Sequence, residues 1–231
     1  MSGSHRPLVI AHRGASARAV ENSLESFRLA RALGADGVEL DVHATRDHAL
    51  LVHHDAELPG QGPIAMLTLA DARRVRLRNG EPVPLLEEAL GVLAGLDPFV
   101  EVKAMGASAE AAFFRTLDHA PEPGRCAVHS FDHSLIARLA RQRPDFRYGI
   151  LCERAPASAA DALTGAHATD LWQRRDGVVG TLVNEVHEAG GRVIAWTVNR
   201  DADLLHLMRL GVDGICTDYP DRAGSLMETD T

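Results

Sequence analysis

Two histidines in this sequence are placed where they could move protons. His12 ends the apolar run "LVIAH" and is followed by Arg13, and His54 ends "LLVHH" and is followed by Asp55. An imidazole can take a proton from a nucleophile or give one to a leaving group near neutral pH. Because each apolar run is typical of a buried strand, both histidines are candidates for acid/base chemistry at a strand end.

Four charged side chains lie inside two further segments that alternate as strands do. Glu39 and Asp41 alternate with apolar residues in "GVELDVH", and Glu101 and Lys103 do so in "FVEVKAM". Successive strand residues point to opposite faces, so the charged residues share one face. That face would meet solvent in an antiparallel sheet, but in a parallel barrel it would line one cavity.

The barrel arrangement implies a bound cation. A buried carboxylate is costly unless it is paired or binds a cation, and three carboxylates with one lysine leave surplus negative charge. Oxygen ligands of this kind suit Mg²⁺ or Ca²⁺ rather than zinc. Such a cation, two histidines, Arg13 and Lys103 around one cavity predict phosphoryl-ester chemistry, because cationic groups hold phosphate oxygens while the histidines exchange protons.

The elements that must position these residues are short strands alternating with amphipathic helices. The predicted strands are Leu8–Ala11, Gly37–Val42, Phe99–Lys103, Arg125–His129, Arg147–Leu151, Gly165–Thr169, Arg192–Thr197 and Gly214–Thr217. Such alternation predicts a parallel sheet covered by helices. Eight strands favour a closed (β/α)8 TIM barrel, although an open doubly wound sheet fits the alternation almost as well.

A weak internal repeat favours closure of the sheet. The segments "LGADGVELD" (residues 33–41) and "LGVDGICTD" (residues 210–218) share Leu-Gly-x-Asp-Gly and a later aspartate. They are predicted to be equivalent units that become neighbours in a barrel.

Residues 49–86 interrupt the alternation and are predicted to form a short insertion after the second strand, above the barrel mouth. Asn22, with Glu25 three residues on, predicts a helix start with a capping box.

Composition narrows the class of protein. The chain has 231 residues, of which 45% are hydrophobic, and a formal net charge of −8. These values suit a single domain, spanning residues 1–231, and argue against broad binding of nucleic acid. The three cysteines are far apart and there is no apolar run of membrane-spanning length. We therefore expect a cytoplasmic protein with buried, reduced cysteines and no stable membrane insertion.

Taken in order, several segments resemble the glycerophosphodiester phosphodiesterase family. They are "AHRG", "EN", "GVELDVHATRDHALLVHHD", "VEVK", "HSFD", "AWTVN" and "GVDGICTDYP", and they extend over about residues 8 to 220. The most specific element is "HRG" followed by Glu-x-Asp-Val-x-x-Thr-x-Asp and then His-Asp. The resemblance implies a (β/α)8 barrel with an insertion after the second strand. It also implies a small-molecule glycerophosphodiester substrate, which is hydrolysed to glycerol 3-phosphate and an alcohol with the help of a divalent cation.

The resemblance also implies roles for individual residues. His12 and His54 would be the acid/base pair, and His54 is preferred over His53 because it directly precedes Asp55. The family is thought to use the glycerol 2-hydroxyl as an internal nucleophile, giving a cyclic phosphate that water opens. The remaining implied roles are metal ligation by Glu39, Asp41 and Glu101, phosphate binding by Arg13 and Lys103, an apolar wall beside the glycerol from Trp196, and support of the mouth by Asp218.

The sequence departs from the family pattern after Asp55. The segment "AELPGQGPIAMLTL" is short and lacks the arginine and threonines that the family often has there. We therefore expect a more open site that tolerates different alcohol groups. One alternative is a phospholipase-type phosphodiesterase acting on lysophospholipid or sphingolipid headgroups, which would need an apolar rim or membrane anchor. Another is a catalytically silent ligand-binding barrel, which would have lost a histidine or a metal carboxylate, whereas all are present.

Overall fold

Eight parallel strands form a closed barrel surrounded by helices. The computed structural model describes residues 6–229, so residues 1–5 and 230–231 of the predicted domain lie outside the described part. The barrel strands are β1 (Leu8–His12), β2 (Gly37–Ala44), β6 (Asp97–Ala104), β7 (Ala127–Ser130), β8 (Arg147–Cys152), β9 (Asp170–Arg174), β10 (Arg192–Trp196) and β11 (Gly214–Thr217). The helices are α1 (Leu24–Ala32), α2 (Leu69–Ala72), α3 (Leu86–Val92), α4 (Ala107–Asp118), α5 (His133–Gln142), α6 (Ala159–Ala166), α7 (Gly180–Glu188), α8 (Asp201–Leu210) and α9 (Pro220–Thr229).

Strand β1 closes the barrel because it pairs on both sides. It lies parallel to β2 on one side and to β11 on the other. The predicted barrel is therefore confirmed and the open sheet is excluded. The two repeated segments do not adjoin each other as predicted, because their strands β2 and β11 lie on either side of β1. Their glycines Gly34 and Gly211 lie just past α1 and α8 with φ of 78° and 80°. This left-handed conformation is the usual way for a helix to end before a strand.

Apolar side chains fill two layers. The larger layer lies between the strands and the helices, as a parallel sheet covered by helices requires. A smaller cluster inside the barrel is formed by Ile10, Phe99, Ala127, Leu151, Trp172, Ile194 and Cys216. The amino end of the barrel holds a buried ion cluster, in which Asp170 contacts Arg192 at 2.6 Å and Arg147 at 3.3 Å. The charged residues predicted to act in chemistry lie elsewhere, toward the carboxyl ends of the strands.

The insertion after β2 has the predicted place in the chain. Strand β3 (Leu50–Val52) pairs antiparallel with the end of β2. It is followed by the hairpin β4 (Glu57–Leu58) and β5 (Gly62–Pro63), a 3₁₀ turn and α2. A small apolar cluster beneath the insertion consists of Leu51, Leu58, Ile64, Leu67, Ala72 and Val83. The insertion thus packs on its own side chains while β3 joins it to the barrel sheet.

Two local predictions were wrong. The sixth strand is Asp170–Arg174, not Gly165–Thr169, because α6 continues to Ala166 and His167 ends it with a left-handed φ of 52°. Helix α1 is capped by Ser23, whose hydroxyl accepts from the amide of Ser26, and not by Asn22. The side chain of Asn22 bonds to Asp41 instead.

Two further expectations concern the burial of the cysteines and the insertion of helices into a membrane. Cys126, Cys152 and Cys216 are all buried and unpaired, as predicted for small apolar residues. Across residues 6–229, no helix combines the length and the apolar character needed to cross a membrane. A cytoplasmic location remains a prediction.

Candidate active site

The strand register places the charged residues side by side. His12 on β1 is level with Glu39 on β2, and farther along β2 Asp41 is level with Glu101 on β6. Glu101 is in turn level with His129 on β7. Because side chains alternate along a strand, these residues share the inner face near the carboxyl ends of the strands, where TIM-barrel active sites lie.

A cavity of about 240 Å³ opens at this end of the barrel. Its polar lining residues are His12, Arg13, Glu39, His54, Glu101, Lys103, His129 and Glu153. Its apolar lining residues are Phe131, Leu151, Trp172, Trp196 and Cys216. The Trp196 indole donates to the carbonyl of Trp172 at 3.0 Å and meets the ring of Phe131 edge to face. The cavity therefore combines ionic side chains with an aromatic surface that is held in place by these contacts.

Each of the two predicted acid/base histidines is oriented by a carboxylate. Nδ1 of His12 donates to Asp218 at 2.7 Å, and Nδ1 of His54 donates to Asp55 at 2.8 Å. A carboxylate only accepts, so Nδ1 carries the proton and Nε2 of a neutral ring is left as a base. Asp218 is less exposed than Asp55, at 28% against 75% of the side chain. His12 is therefore held in the more sheltered pair.

The environment keeps Asp218 ionised. Burial by itself would raise the pKa of this carboxyl, but the hydrogen bond and charge of His12, with hydrogen bonds from Asn199 and Ser16, hold the pKa below its ordinary value. Asn199 donates to Asp218 at 2.6 Å and Ser16 at 3.0 Å. Hydrogen bonds from His12, Ser16 and Asn199 thus fix the position of the Asp218 carboxylate, which orients His12.

Three carboxylates and two cations form a compact cluster beside the histidines. Lys103 contacts Asp41 at 2.9 Å and Glu101 at 2.8 Å, while Nε of Arg13 lies 3.2 Å from Asp41. The backbone amide of Arg13 donates to Glu39 at 3.1 Å. Glu39, Asp41 and Glu101 are all buried. With three negative and two positive groups, the cluster retains a surplus of negative charge.

This surplus shows in the protonation of two glutamates. Burial, followed by repulsion from Asp41 and Glu101, raises the pKa of Glu39 well above its ordinary value. Burial also raises the pKa of Glu101 to about 7, although Lys103 opposes the change. Asp41 differs, because Lys103 and Arg13 outweigh the effect of its burial and lower its pKa. Two buried carboxylates therefore lack a full positive partner, which is the situation that a bound cation relieves.

The chain reaches this geometry through an unusual turn after β1. Arg13 has a φ of 54° and Gly14 a φ of 81°. A Cβ atom on Gly14 would lie 2.7 Å from the backbone carbonyl carbon of Ser26, so no larger residue fits. The left-handed conformation of Arg13 is uncommon for a residue with a side chain and is found at functional sites. It turns the backbone amide toward Glu39 and the guanidinium toward Asp41 and Glu21.

Most of the chain matches one known protein family. Residues 12–222 match the glycerophosphoryl diester phosphodiesterase family. The chain belongs to this family. A glycerophosphodiester phosphodiesterase of Caldanaerobacter subterraneus subsp. tengcongensis is 28% identical, over 94% of this chain and 96% of that protein. The predictions of the family, of the TIM barrel and of an enzyme are thereby confirmed.

Solved structures of similar proteins agree with this family assignment. A putative glycerophosphoryl diester phosphodiesterase from Silicibacter pomeroyi has a TM-score of 0.88 and 29% identity, covering 97% of this chain and 94% of that one. A phosphodiesterase from Oleispira antarctica, solved with the product sn-glycerol-3-phosphate, has a TM-score of 0.90 and 26% identity, with coverage of 97% and 98%. The glycerophosphodiester phosphodiesterase barrel therefore extends over nearly the whole chain.

The structure brings the predicted site residues together around one cavity, and Asp41 is the exception. Seven of them line the cavity: His12, Arg13, Glu39, His54, Glu101, Lys103 and Trp196. Asp41 is completely buried and contacts Arg13 and Lys103 instead. Their chemical roles remain predictions, since placement alone does not test a role.

Sequence reasoning missed two polar residues in this part of the glycerophosphodiester phosphodiesterase barrel. Asn22 donates to Asp41 at 2.7 Å and accepts from the Asp41 amide, which explains why it does not cap α1. His129 lines the cavity and is 1% exposed. Burial lowers the pKa of His129 to about 3, so its ring is neutral. Both residues lie in segments that carried the family resemblance, "EN" and "HSFD", and a polar side chain ending a buried strand was the available signal for His129.

A second, larger cleft of about 810 Å³ adjoins the site. Its walls are the loop between β1 and α1 and the insertion after β2, and they include His53 and Asp55. His53 and His54 therefore face different spaces, and His54 is the one that shares the cavity with His12. The cleft also contains both acidic and basic side chains, among them Glu21, Arg76 and Arg78.

Proposed function

We propose that this protein hydrolyses glycerophosphodiesters to glycerol 3-phosphate and an alcohol, with a divalent cation and two histidines. The observation that carries the proposal is the cavity shared by His12, His54, Glu39 and Glu101. Both histidines are oriented through Nδ1 by carboxylates, which leaves Nε2 of each free for proton transfer. The product named for the Oleispira antarctica relative, sn-glycerol-3-phosphate, supports the same substrate class.

The residues present fit a divalent cation. Two buried glutamates with raised pKa values mark a position where positive charge is deficient. Glu39, Asp41 and Glu101 would hold the ion, and because each carboxylate has about four acceptor positions, Asp41 can bind it while keeping its bonds to Asn22 and Lys103. When bound, a divalent cation polarises a phosphoryl oxygen and neutralises developing charge.

The chain's own side chains account for the remaining chemistry. Arg13 and Lys103 line the cavity and would bind the phosphate oxygens, and the two histidines would transfer protons to and from the substrate oxygens. One histidine takes the proton of the glycerol 2-hydroxyl as that oxygen bonds to phosphorus, and the other gives a proton to the departing alkoxide. Water then opens the cyclic phosphate. Cys216 also lines the cavity, but burial raises its pKa well above the ordinary value and keeps the thiol protonated, which disfavours a thiolate nucleophile.

The two ends of the substrate would occupy different surroundings. Trp196 supplies the apolar wall beside the glycerol, since its ring is fixed by Trp172 and Phe131. The alcohol would extend into the adjoining cleft of about 810 Å³. A space of that size accommodates alcohols of different sizes, as the shortened segment after Asp55 predicts.

The test is a substrate panel with matched variants. The protein is incubated with glycerophosphocholine, glycerophosphoethanolamine and glycerophosphoglycerol in the presence of Mg²⁺, Ca²⁺ or Mn²⁺, and released glycerol 3-phosphate is assayed. We expect turnover of at least one substrate, and loss of turnover in His12→Ala and His54→Ala with thermal unfolding unchanged. His53→Ala, the matched control, should retain activity. Absence of turnover on every substrate with every cation would overturn the proposal.

A further inference from the structure

His129 is a buried histidine whose function the proposed mechanism leaves open. It ends the inner face of β7 and is 1% exposed. Within the described part of the chain, neither Nδ1 nor Nε2 has a hydrogen-bond partner. Buried polar groups are nearly always paired, so an unpaired imidazole that lines a cavity indicates a bound partner.

The ring of His129 is held by stacking rather than by hydrogen bonds. It lies 4.1 Å from the ring of Trp172, with an angle of 4° between the two planes. Gly149 is level with His129 on the next strand, and a Cβ atom there would come within 2.9 Å of Trp172. The glycine thus leaves the space through which Trp172, on β9, reaches the imidazole. Two neighbouring strands are shaped to fix the plane of this ring.

Two carboxylates with raised pKa values, those of Glu39 and Glu101, lie close enough to His129 to share a bound partner with it. One carboxylate oxygen of Glu39, one of Glu101 and one ring nitrogen of His129 all lie within 4.8 Å of one another. Such a set can surround one ion. A phosphate oxygen would be repelled by both carboxylates, whereas a cation is attracted by them and by a nitrogen lone pair. The arrangement therefore favours a cation as the partner of His129.

We propose that His129 is a nitrogen ligand of the catalytic cation and gives this site a preference for first-row transition ions over Mg²⁺ and Ca²⁺. The inference rests on the cation site of the proposed function and adds to the all-oxygen ligand set that the sequence predicts. Imidazole binds ions such as Co²⁺ and Zn²⁺ much better than the hard ions Mg²⁺ and Ca²⁺, which prefer oxygen.

The experiment measures binding and not turnover. Full-length protein freed of metal with a chelator is titrated with Co²⁺, followed by its visible absorption and by calorimetry, and with Mg²⁺, followed by calorimetry. His129→Gln replaces the imidazole by an amide, and His129→Phe keeps a ring on Trp172 without nitrogens. The matched control is His133→Gln, because His133 donates to the carbonyl of Leu151 and is outside the three-residue group.

We expect both His129 variants to lower the ratio of Co²⁺ to Mg²⁺ affinity by about tenfold or more and to change the Co²⁺ spectrum. His133→Gln should leave the ratio unchanged. An unchanged ratio and spectrum in folded His129 variants would overturn the inference. Inorganic phosphate is titrated by the same calorimetry, and a loss of phosphate binding without any change in Co²⁺ binding would also overturn it. If the unsubstituted protein bound neither cation, the cation site of the proposed function would fail as well, which is a distinguishable result.

Discussion

Asp218, at the end of the last barrel strand, accepts a hydrogen bond of 2.7 Å from Nδ1 of His12, at the end of the first. The two residues are 206 positions apart in the chain. They meet because β1 pairs with β11 to close the barrel. Closure of the barrel therefore also brings Asp218 into position to orient His12, the predicted base.

This pairing predicts a strong effect of Asp218→Asn. The amide is uncharged and presents an NH₂ donor as well as an oxygen, so it holds the His12 proton on Nδ1 less well. Nε2 then becomes a poorer base while the cavity keeps its shape. We expect kcat to fall by about 100-fold or more, with a smaller change in KM. The matched change Asp55→Asn should cost less, because Asp55 is 75% exposed and water can replace it. Steady-state kinetics of both variants provide the comparison, and equal losses would contradict the sheltered role of Asp218.

The raised pKa of Glu101 predicts how stability depends on pH in the absence of metal. Its pKa is about 7 in the folded protein against an ordinary 4.5, so folding favours the protonated form. The stabilisation is complete below the unfolded pKa and is lost as pH rises through the folded pKa. We expect the free energy of unfolding of metal-free protein to fall by on the order of 2 kcal/mol between about pH 4.5 and 7.5.

Denaturant titrations at several pH values, with and without a divalent cation, measure this dependence. A saturating cation should restore the lost stability, more strongly at high pH, because it binds the ionised carboxylates. Glu101→Gln should flatten the dependence in metal-free protein. A slope that Glu101→Gln leaves intact would mean that other groups cause it.

The turn after β1 predicts a large cost for Gly14→Ala. Its φ of 81° disfavours alanine, and the new Cβ would lie 2.7 Å from the backbone of Ser26. We expect a loss of about 3 kcal/mol, combining the left-handed penalty with overpacking. Gly34→Ala is the matched control, since its φ is 78° but a Cβ there meets nothing within 4 Å. It should cost about 1 kcal/mol. Similar unfolding free energies for the two variants would refute the close approach at Gly14.

At the amino end of the barrel, a substitution is expected to lower stability without changing activity. Asp170 is 1% exposed and paired with Arg192 and Arg147, so Asp170→Ala leaves buried positive charge uncompensated. We expect a loss of about 3 to 5 kcal/mol in unfolding free energy. The kcat below the unfolding temperature should be unchanged, because this end of a TIM barrel is remote from the mouth. The exposed pair of Asp176 with Arg174 is the control, and Asp176→Ala should have little effect. A lower kcat in Asp170→Ala would contradict this prediction, because it would mean that the amino end of the barrel affects the site at the mouth.

The local sequence pattern predicted the structure correctly where a segment carried one strong signal. The alternation in "GVELDVH" identified Glu39 and Asp41 on the inner face, and the repeat after Gly34 and Gly211 anticipated closure. It failed at "GAHATDLWQR", because the start of a short strand depends on where the preceding helix ends. It also failed at Asn22, where a residue suited to capping bonds to Asp41 instead. In both places a tertiary contact or a helix end outweighed local preference.

The sequence by itself determined which chemical groups are available and that they follow buried strands. Its residue types, their spacing and the family resemblance were enough to name His12, His54 and the carboxylates. Only the tertiary structure decided how these groups affect one another, because pKa values, tautomers and ligand distances depend on neighbours that are remote in the chain. Asp218 beside His12, and Glu101 beside His129, become neighbours only through strand pairing.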